Sequence, residues 1–489
     1  MSSHSDMSSV VSFSRQPAHK KQSIEIVIDD HFTSKVYTSG SPISGNVIIT
    51  PNHDSRFDYV QIILLGTSRT RLDAVQIPQL SSHTFLKLEM PIPESAYPVP
   101  RIFEAGRTYT IPFNFVVPQH LTISACNHKA QSDLIHDYHM RLPPSMGSWE
   151  KDDMTPDMAQ IHYAIKARVV RQDELGGRPT KVMEDAYLLN VLPASPEDPP
   201  LNITKQDKGY TLSKTKNIRK NIFSSKQGRI TATAVQPGAV YLTPDGREAS
   251  EGSLMVNLNF EPASADILPP KVGSVSAKLQ AQTWYGATPM TRLPNLGDSH
   301  EVYAFSQQLA YQTSVPLLSA TVDKINWRQQ IVSTTRRDSG YSSDGFQGSH
   351  SDSDHSNNRG RRSTKDRSSP INHLAALQIP FKLPTERKTF IPTFHACIIS
   401  RTYTLQLTVV VGDSKVNLAI PVQIALEPPA QLGMGLPSFD AAMAQQEEAE
   451  ADAYFQPRLM QQPAVEFQGN AVLPGYDELA GRRTAVPTA

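Results

Sequence analysis

The chain has 489 residues, enough for two to four domains at the usual ~100–200 residues each. Lys plus Arg and Asp plus Glu each number 47, so the net charge is zero and no global field draws in nucleic acid or anionic lipid. Charged residues make up 19% and hydrophobic ones 39%, which supplies cores and leaves room for unstructured length. Proline, at 38, outnumbers glycine at 25, which argues against helix-dominated and collagen-like chains. The two cysteines, Cys126 and Cys397, are too few and too far apart in sequence for a disulfide framework. They point to a reducing, cytoplasmic setting.

Residues 1–22 are Ser-rich without a continuous apolar stretch, and read as a disordered N-terminus rather than a signal peptide. No stretch of 18 apolar residues follows. The most apolar region, 405–426, is broken by Asp413, Lys415 and Asn417, so no membrane span is expected.

From there the dominant period is two. Ile161, Tyr163, Ile165, Ala167 and Val169 alternate with mostly polar neighbours, as do Leu254, Val256, Leu258 and Phe260. Val275, Ala277, Leu279 and Ala281 repeat the pattern, and so do Tyr403, Leu405, Leu407 and Val409. Such runs place one face on a core and the other in water. Further strands are expected at 23–28, 43–50, 59–67, 108–116, 186–192 and 416–426. Many short half-buried strands separated by Pro and Gly predict an all-β chain of two antiparallel β-sandwiches.

The strands fall in two blocks, 23–196 and 250–428. Between them, 197–249 reads as a basic linker: 202–229 carries eight Lys and Arg against one acid, Asp207. The second block is interrupted at 333–370, where eleven serines and almost no apolar residue predict a disordered insertion. After 428 the period is lost. Residues 441–454 suit a solvated acidic helix, and the rest of 429–489 reads as a disordered tail.

Three stretches resemble one family. Phe103-Glu104-Ala105-Gly106-Arg107-Thr108-Tyr109-Thr110-Ile111-Pro112-Phe113-Asn114-Phe115, followed by Val117-Pro118, is similar to the arrestin N-domain. His139-Met140-Arg141-Leu142-Pro143-Pro144-Ser145-Met146-Gly147 and the strand 161–171 resemble the same domain of fungal α-arrestins. Ile391-Pro392-Thr393-Phe394, with Ile399-Ser400-Arg401-Thr402-Tyr403, resembles the arrestin C-domain. The resemblance spans about residues 23–428 with gaps, and implies two seven-stranded sandwiches without catalysis. It further implies a cytosolic adaptor that bridges membrane transporters or receptors to a WW-domain, HECT-type ubiquitin ligase and promotes their ubiquitination and endocytosis. The protein would then sit in the cytoplasm and peripherally at plasma membrane and endosomes. The alternative under the same fold is a sorting or signalling scaffold, retromer-like or ambient-pH-type, without ligase recruitment.

Such bridging needs a Pro/Leu-Pro-x-Tyr motif, and Leu473-Pro474-Gly475-Tyr476 supplies one. Pro474 fixes its own φ and biases Leu473 toward extended backbone, lowering the ordering cost on binding. An aromatic-lined groove then takes the proline and a second pocket the tyrosine. Leu436-Pro437-Ser438-Phe439 is a weaker second copy, since Phe439 lacks the hydroxyl.

The remaining constellations are less specific. Lys205, Lys208, Lys214, Lys216, Arg219 and Lys220 suit an anionic membrane surface or ubiquitin attachment. Nucleic acid is not expected, because only Tyr210 and Phe223 offer stacking in that stretch. Ser339, Ser343, Ser363 and Thr364 follow basic or degron-like contexts and are candidate phosphosites. Cys126, His128, His136 and His139 are soft-metal ligand types, but their spacing lacks the closely paired cysteines of structural zinc sites. The histidines are assigned to surface and turns, and no metal and no cofactor is expected. No nucleophile elbow, P-loop, H-E-x-x-H or dinucleotide fingerprint occurs, and no enzyme is expected.

Overall fold

The computed structural model describes residues 23–73, 77–172, 179–219, 225–297, 308–322, 324–331 and 371–427. Its first half contains β1 (Ile24–Ile28), β2 (Val36–Tyr37), β3 (Pro42–Ile49), β4 (Ser55–Arg56), β5 (Tyr59–Leu72), β6 (Gln79–Glu89), β7 (Ile102–Phe103) and β8 (Tyr109–Val116). The helix α1 (Asp133–Met140) follows, then β9 (Ala159–Arg171) and β10 (Thr180–Val191). Two sheets result, ordered β1-β3-β8 and β2-β10-β9-β5-β6, with β4 and β7 pairing apart. Ile26, Ile43, Val47, Ile111 and Phe113 on one sheet, and Ile62, Ile161, Ile165 and Val169 on the other, are buried. The period-two strands thus place their apolar sides in a sandwich core.

The second half contains β11 (Ser213–Arg219), β12 (Lys226–Ala234), β13 (Val240–Leu242), β14 (Gly252–Pro262), β15 (Val272–Gly286), β16 (Gln308–Thr321) and β17 (Arg328–Ile331). It continues with β18 (Ile371–Phe381), β19 (Phe394–His395), β20 (Ile399–Val411), β21 (Ser414–Val422) and β22 (Ile424–Leu426). One sheet runs β11-β12-β14-β18-β17; the other runs β16-β15-β20-β19, with β21 also on β20. Leu254, Val256, Leu258 and Phe260 are buried, as are Leu279, Leu405, Leu407, Leu418 and Ile420.

The same strand order occurs twice. The run β12-β14-β18 corresponds to β1-β3-β8, and β21-β20-β15-β16 corresponds to β10-β9-β5-β6. Among the described residues each half also carries one short parallel pairing, β2 on β10 and β13 on β22, and the named strands otherwise pair antiparallel. A buried tyrosine recurs at matching places. Tyr163 of β9 donates its hydroxyl to Pro143 O at 2.6 Å, and Tyr403 of β20 donates to Ile391 O at 2.8 Å. In both, a phenol ties the strand to the backbone that leads into it.

The segment 197–249 is not a connector. It contains β11, β12 and β13, and β12 pairs β14 along seven residues from Gly228↔Pro262 to Ala234↔Val256. Its inward residues Gly228, Ile230, Ala232 and Ala234 are mostly small, so charge outweighed period in the sequence. Among the described residues β11 is an edge strand, where Lys214 and Lys216 stand opposite Ala232 and Ile230 and remain exposed. Charged residues on such an edge block further strand pairing. The edge strand β6 also escaped the sequence reading, because most of its residues are exposed or only partly buried and no alternation shows. The expected disordered segments 1–22, 333–370 and 429–489, and the acidic helix at 441–454, lie outside the described residues.

Candidate functional site

The two sandwiches meet at a polar seam. Thr70 Oγ1 donates to Gly286 O at 2.8 Å, Ser81 Oγ to Ala287 O at 3.0 Å, and Gln131 N to Thr291 O at 3.0 Å. At its centre is Arg401 of β20, 0% exposed. Its Nε donates to Thr283 Oγ1 at 3.0 Å in its own sandwich. Its two terminal nitrogens cross the seam, reaching Asp153 O at 2.9 Å and Thr155 Oγ1 at 2.7 Å.

The receiving loop is shaped for this. Met154 has φ +60°, a left-handed conformation uncommon for a residue with a side chain. Asp152 Oδ1 accepts from Met154 N at 2.7 Å, and Asp153 Oδ2 from Gly147 N at 2.7 Å. Lys388 of the second sandwich pairs with Asp152. That hydrogen bond holds the Asp152 carboxyl below the usual carboxylate range, against a smaller opposing effect of burial.

Beside the clamp is a cavity of about 130 Å³, lined by Tyr138, Asp198, Tyr210, Gln236, His395 and Tyr403 among others. Arg141 stacks on Tyr138, 4.6 Å from the ring centre, and its guanidinium reaches Asp198 and Asp137 at 2.9 Å each. Asp198 N in turn donates to Gln423 Oε1 at 2.8 Å. The chain crossing from one sandwich to the other is therefore pinned to both.

A third feature gathers Cys126, His128, His139 and Cys397, whose donor atoms all lie within 4.8 Å of one another. Cys126 closes a short 3-10 turn (Ile123–Ala125). His139 lies in the last turn of α1, whose start is capped by Ser132 Oγ accepting from Ile135 N at 3.4 Å. Cys397 comes from the turn between β19 and β20, held by Met290 N donating to its carbonyl at 2.7 Å. Burial pushes His139 down to about 4, helped by His128, His136 and His83, and it lowers His128 as well. Both imidazoles are thus neutral at physiological pH.

Three of the four residues that the sequence grouped as ligand types come together here; His136, one turn earlier on α1, does not. Cys397 was missed because its partners sit in the other half of the chain, and sequence distance hid the proximity of the only two cysteines. Arg401 stood in a quoted motif without a role, since nothing in its neighbours marks it as buried.

Of the other predicted site residues, Lys205 and Lys208 lie exposed ahead of β11, and Lys214, Lys216 and Arg219 are exposed on it. Lys220 lies outside the described residues. So do Leu473, Pro474 and Tyr476, Leu436, Pro437 and Phe439, and Ser339, Ser343, Ser363 and Thr364. Among the described residues no helix is long and apolar enough to cross a membrane. No protein-family model matches the chain, and no curated protein matches it.

Proposed function

We propose that the chain is an arrestin-like adaptor. Its two-sandwich body engages cytosolic segments of membrane transporters or receptors. Leu473, Pro474 and Tyr476 recruit a WW-domain, HECT-type ubiquitin ligase that modifies them, leading to their endocytosis. The observation that carries this reading is the tandem sandwich, one strand order used twice and clamped across a seam. The ionic groups of that seam are engaged with one another or with backbone: Arg401 with the 153–155 loop, Asp152 with Lys388, Arg141 with Asp198. Such an arrangement supports a fixed docking body rather than a reactive centre.

The cavity beside Tyr138, Tyr210 and Tyr403 suits an extended segment with one apolar and one polar side chain. The exposed Lys205, Lys208, Lys214, Lys216 and Arg219 favour an anionic membrane surface, at about 1 kcal/mol per charge close to it. Phosphorylation at Ser339, Ser343, Ser363 or Thr364 would add charge and tune either contact. In sequence the ligase motif follows β22, the last strand among the described residues, so its loss should leave the sandwiches intact.

Proximity labelling in cells with wild type and Tyr476→Ala tests the reading. The ligase should drop out of the Tyr476→Ala sample while membrane proteins stay labelled. Equal ligase labelling in both would sink the docking role of the motif.

A further inference from the structure

The seam holds a cluster that the adaptor reading does not use. We infer that Cys126, His128, His139 and Cys397 form a closed Cys2His2 zinc site that fastens the two sandwiches together.

Geometry carries the inference. Zinc–sulfur and zinc–nitrogen bonds of ~2.3 and ~2.0–2.1 Å put the corners of a tetrahedron about 3.3–3.8 Å apart. Cys126 Sγ lies broadside to the His128 ring, 3.5 Å from Nδ1 and 3.7 Å from Nε2, and 3.7 Å from His139 Nδ1. His128 Nε2 lies 3.1 Å from His139 Nδ1, slightly inside that range. Cys397 Sγ closes the group within the common 4.8 Å limit. One sulfur and two nitrogens therefore stand within a few tenths of an ångström of tetrahedral edges, the second sulfur is beside them, and a turn of the partly exposed His128 ring aims its nitrogen at the ion.

The chemistry agrees. Two sulfur and two imidazole donors in a tetrahedron select zinc over the hard, oxygen-seeking ions. Zinc binding would release one proton from each thiol, and two thiolates then cancel the ion's double charge. A neutral cluster is what a buried site tolerates. Cys126, His139 and Cys397 are buried and His128 partly so, which leaves no open position and makes the site structural rather than catalytic. The surroundings orient the ligands, through the capped helix that carries His139 and the Met290 contact to Cys397.

The ligands come from equivalent places in the two sandwiches. Cys126, His128 and His139 lie between β8 and β9, and Cys397 lies between β18 and β20. One ion would thus join the same connection of each half. A disulfide between Cys126 and Cys397 is the competing outcome, but it would leave the two imidazoles at these distances without a role.

The test is metal analysis of the full-length chain, purified with reductant and passed over a chelating resin. About one zinc per chain is expected, falling at least tenfold in the Cys126→Ala/Cys397→Ala double variant and in His139→Gln. His136→Gln should keep its zinc. Should the ligand variants fail to fold, the wild type loaded with Co²⁺ alone decides the matter. It should show the intense visible bands of tetrahedral cobalt together with thiolate-to-cobalt charge transfer. Any of three results would overturn the inference: wild type holding no more zinc than the double variant, a metal-free Cys126–Cys397 disulfide persisting in reductant, or a cobalt spectrum without thiolate bands. Zinc content does not depend on ligase docking, so either proposal can fail alone.

Discussion

The two sandwiches share a strand order and a buried tyrosine, yet the position two residues before that tyrosine differs completely. In β9 it is Ile161, packed in the core of the first sandwich; in β20 it is Arg401. Both are 0% exposed. The repeated scaffold therefore dictates burial at this position, and what it is buried against dictates the residue. Ile161 is one residue of its own sandwich's core, where area removed from water is what counts. Arg401 meets the other sandwich's backbone, where carbonyls and hydroxyls would otherwise be left unpaired. One strand serves its own core, and its counterpart serves the joint.

The largest expected effect follows from removing that joint. Arg401→Met should destabilise the protein by about 3–5 kcal/mol, because it leaves the Asp153 carbonyl and the Thr155 and Thr283 hydroxyls, all buried in the seam, without their donor. Ile161→Val should cost only about 0.5–1.5 kcal/mol. Denaturant unfolding of both variants measures the contrast, and equal losses would break it. Arg401→Lys should recover only part of the loss, since an ammonium cannot span the forked set of acceptors.

Next in size are the tyrosines. Tyr163→Phe and Tyr403→Phe each leave one backbone carbonyl without its phenol, at about 1–3 kcal/mol. The shared geometry predicts similar values for the two. A large difference, read from the same unfolding curves, would mean that the repeat is one of topology and not of energetics.

A third test separates the paired positions 162 and 402 by pH. His162, next to Tyr163, is pushed down to about 4 by burial and secondarily by Arg69, whereas its counterpart Thr402 cannot titrate. The unfolded chain carries this imidazole at about 6.5, so it binds the extra proton between pH 6.5 and 4. The His162 contribution is therefore complete above about pH 6.5 and is lost progressively as pH falls toward 4. His162→Gln should remove about one proton from the uptake on unfolding in that window. An unchanged slope would contradict the assignment.

The smallest effect is expected at β11, which among the described residues has no counterpart in the first sandwich's sheet. Lys214→Ala with Lys216→Ala should change stability by no more than about 0.5 kcal/mol. Lys214→Val with Lys216→Val should instead raise aggregation, seen by light scattering, because the unprotected edge can then pair with other chains.

Strands with a strict alternation were legible in the sequence, because water on one face and core on the other leave a period of two. Ile161 to Val169 and Leu254 to Phe260 both show it. β12 was not legible, because Gly228, Ala232 and Ala234 fill its inner face with small residues while Lys226 and Arg229 dominate its appearance. The seam was illegible for another reason. Arg401 looks like any exposed arginine, and Cys397 looks unrelated to Cys126, until the fold brings residues from two distant stretches together. Contacts between sandwiches obey no local period.

The central proposal is a division of labour between a clamped body and a short motif, Leu473 to Tyr476, that recruits the ligase. Calorimetric titration of the purified full-length chain with the WW-domain region of a HECT-type ligase tests it directly. The account predicts saturable binding by wild type that disappears in Tyr476→Ala, with the unfolding curve of that variant unchanged. Undiminished binding by Tyr476→Ala would contradict it.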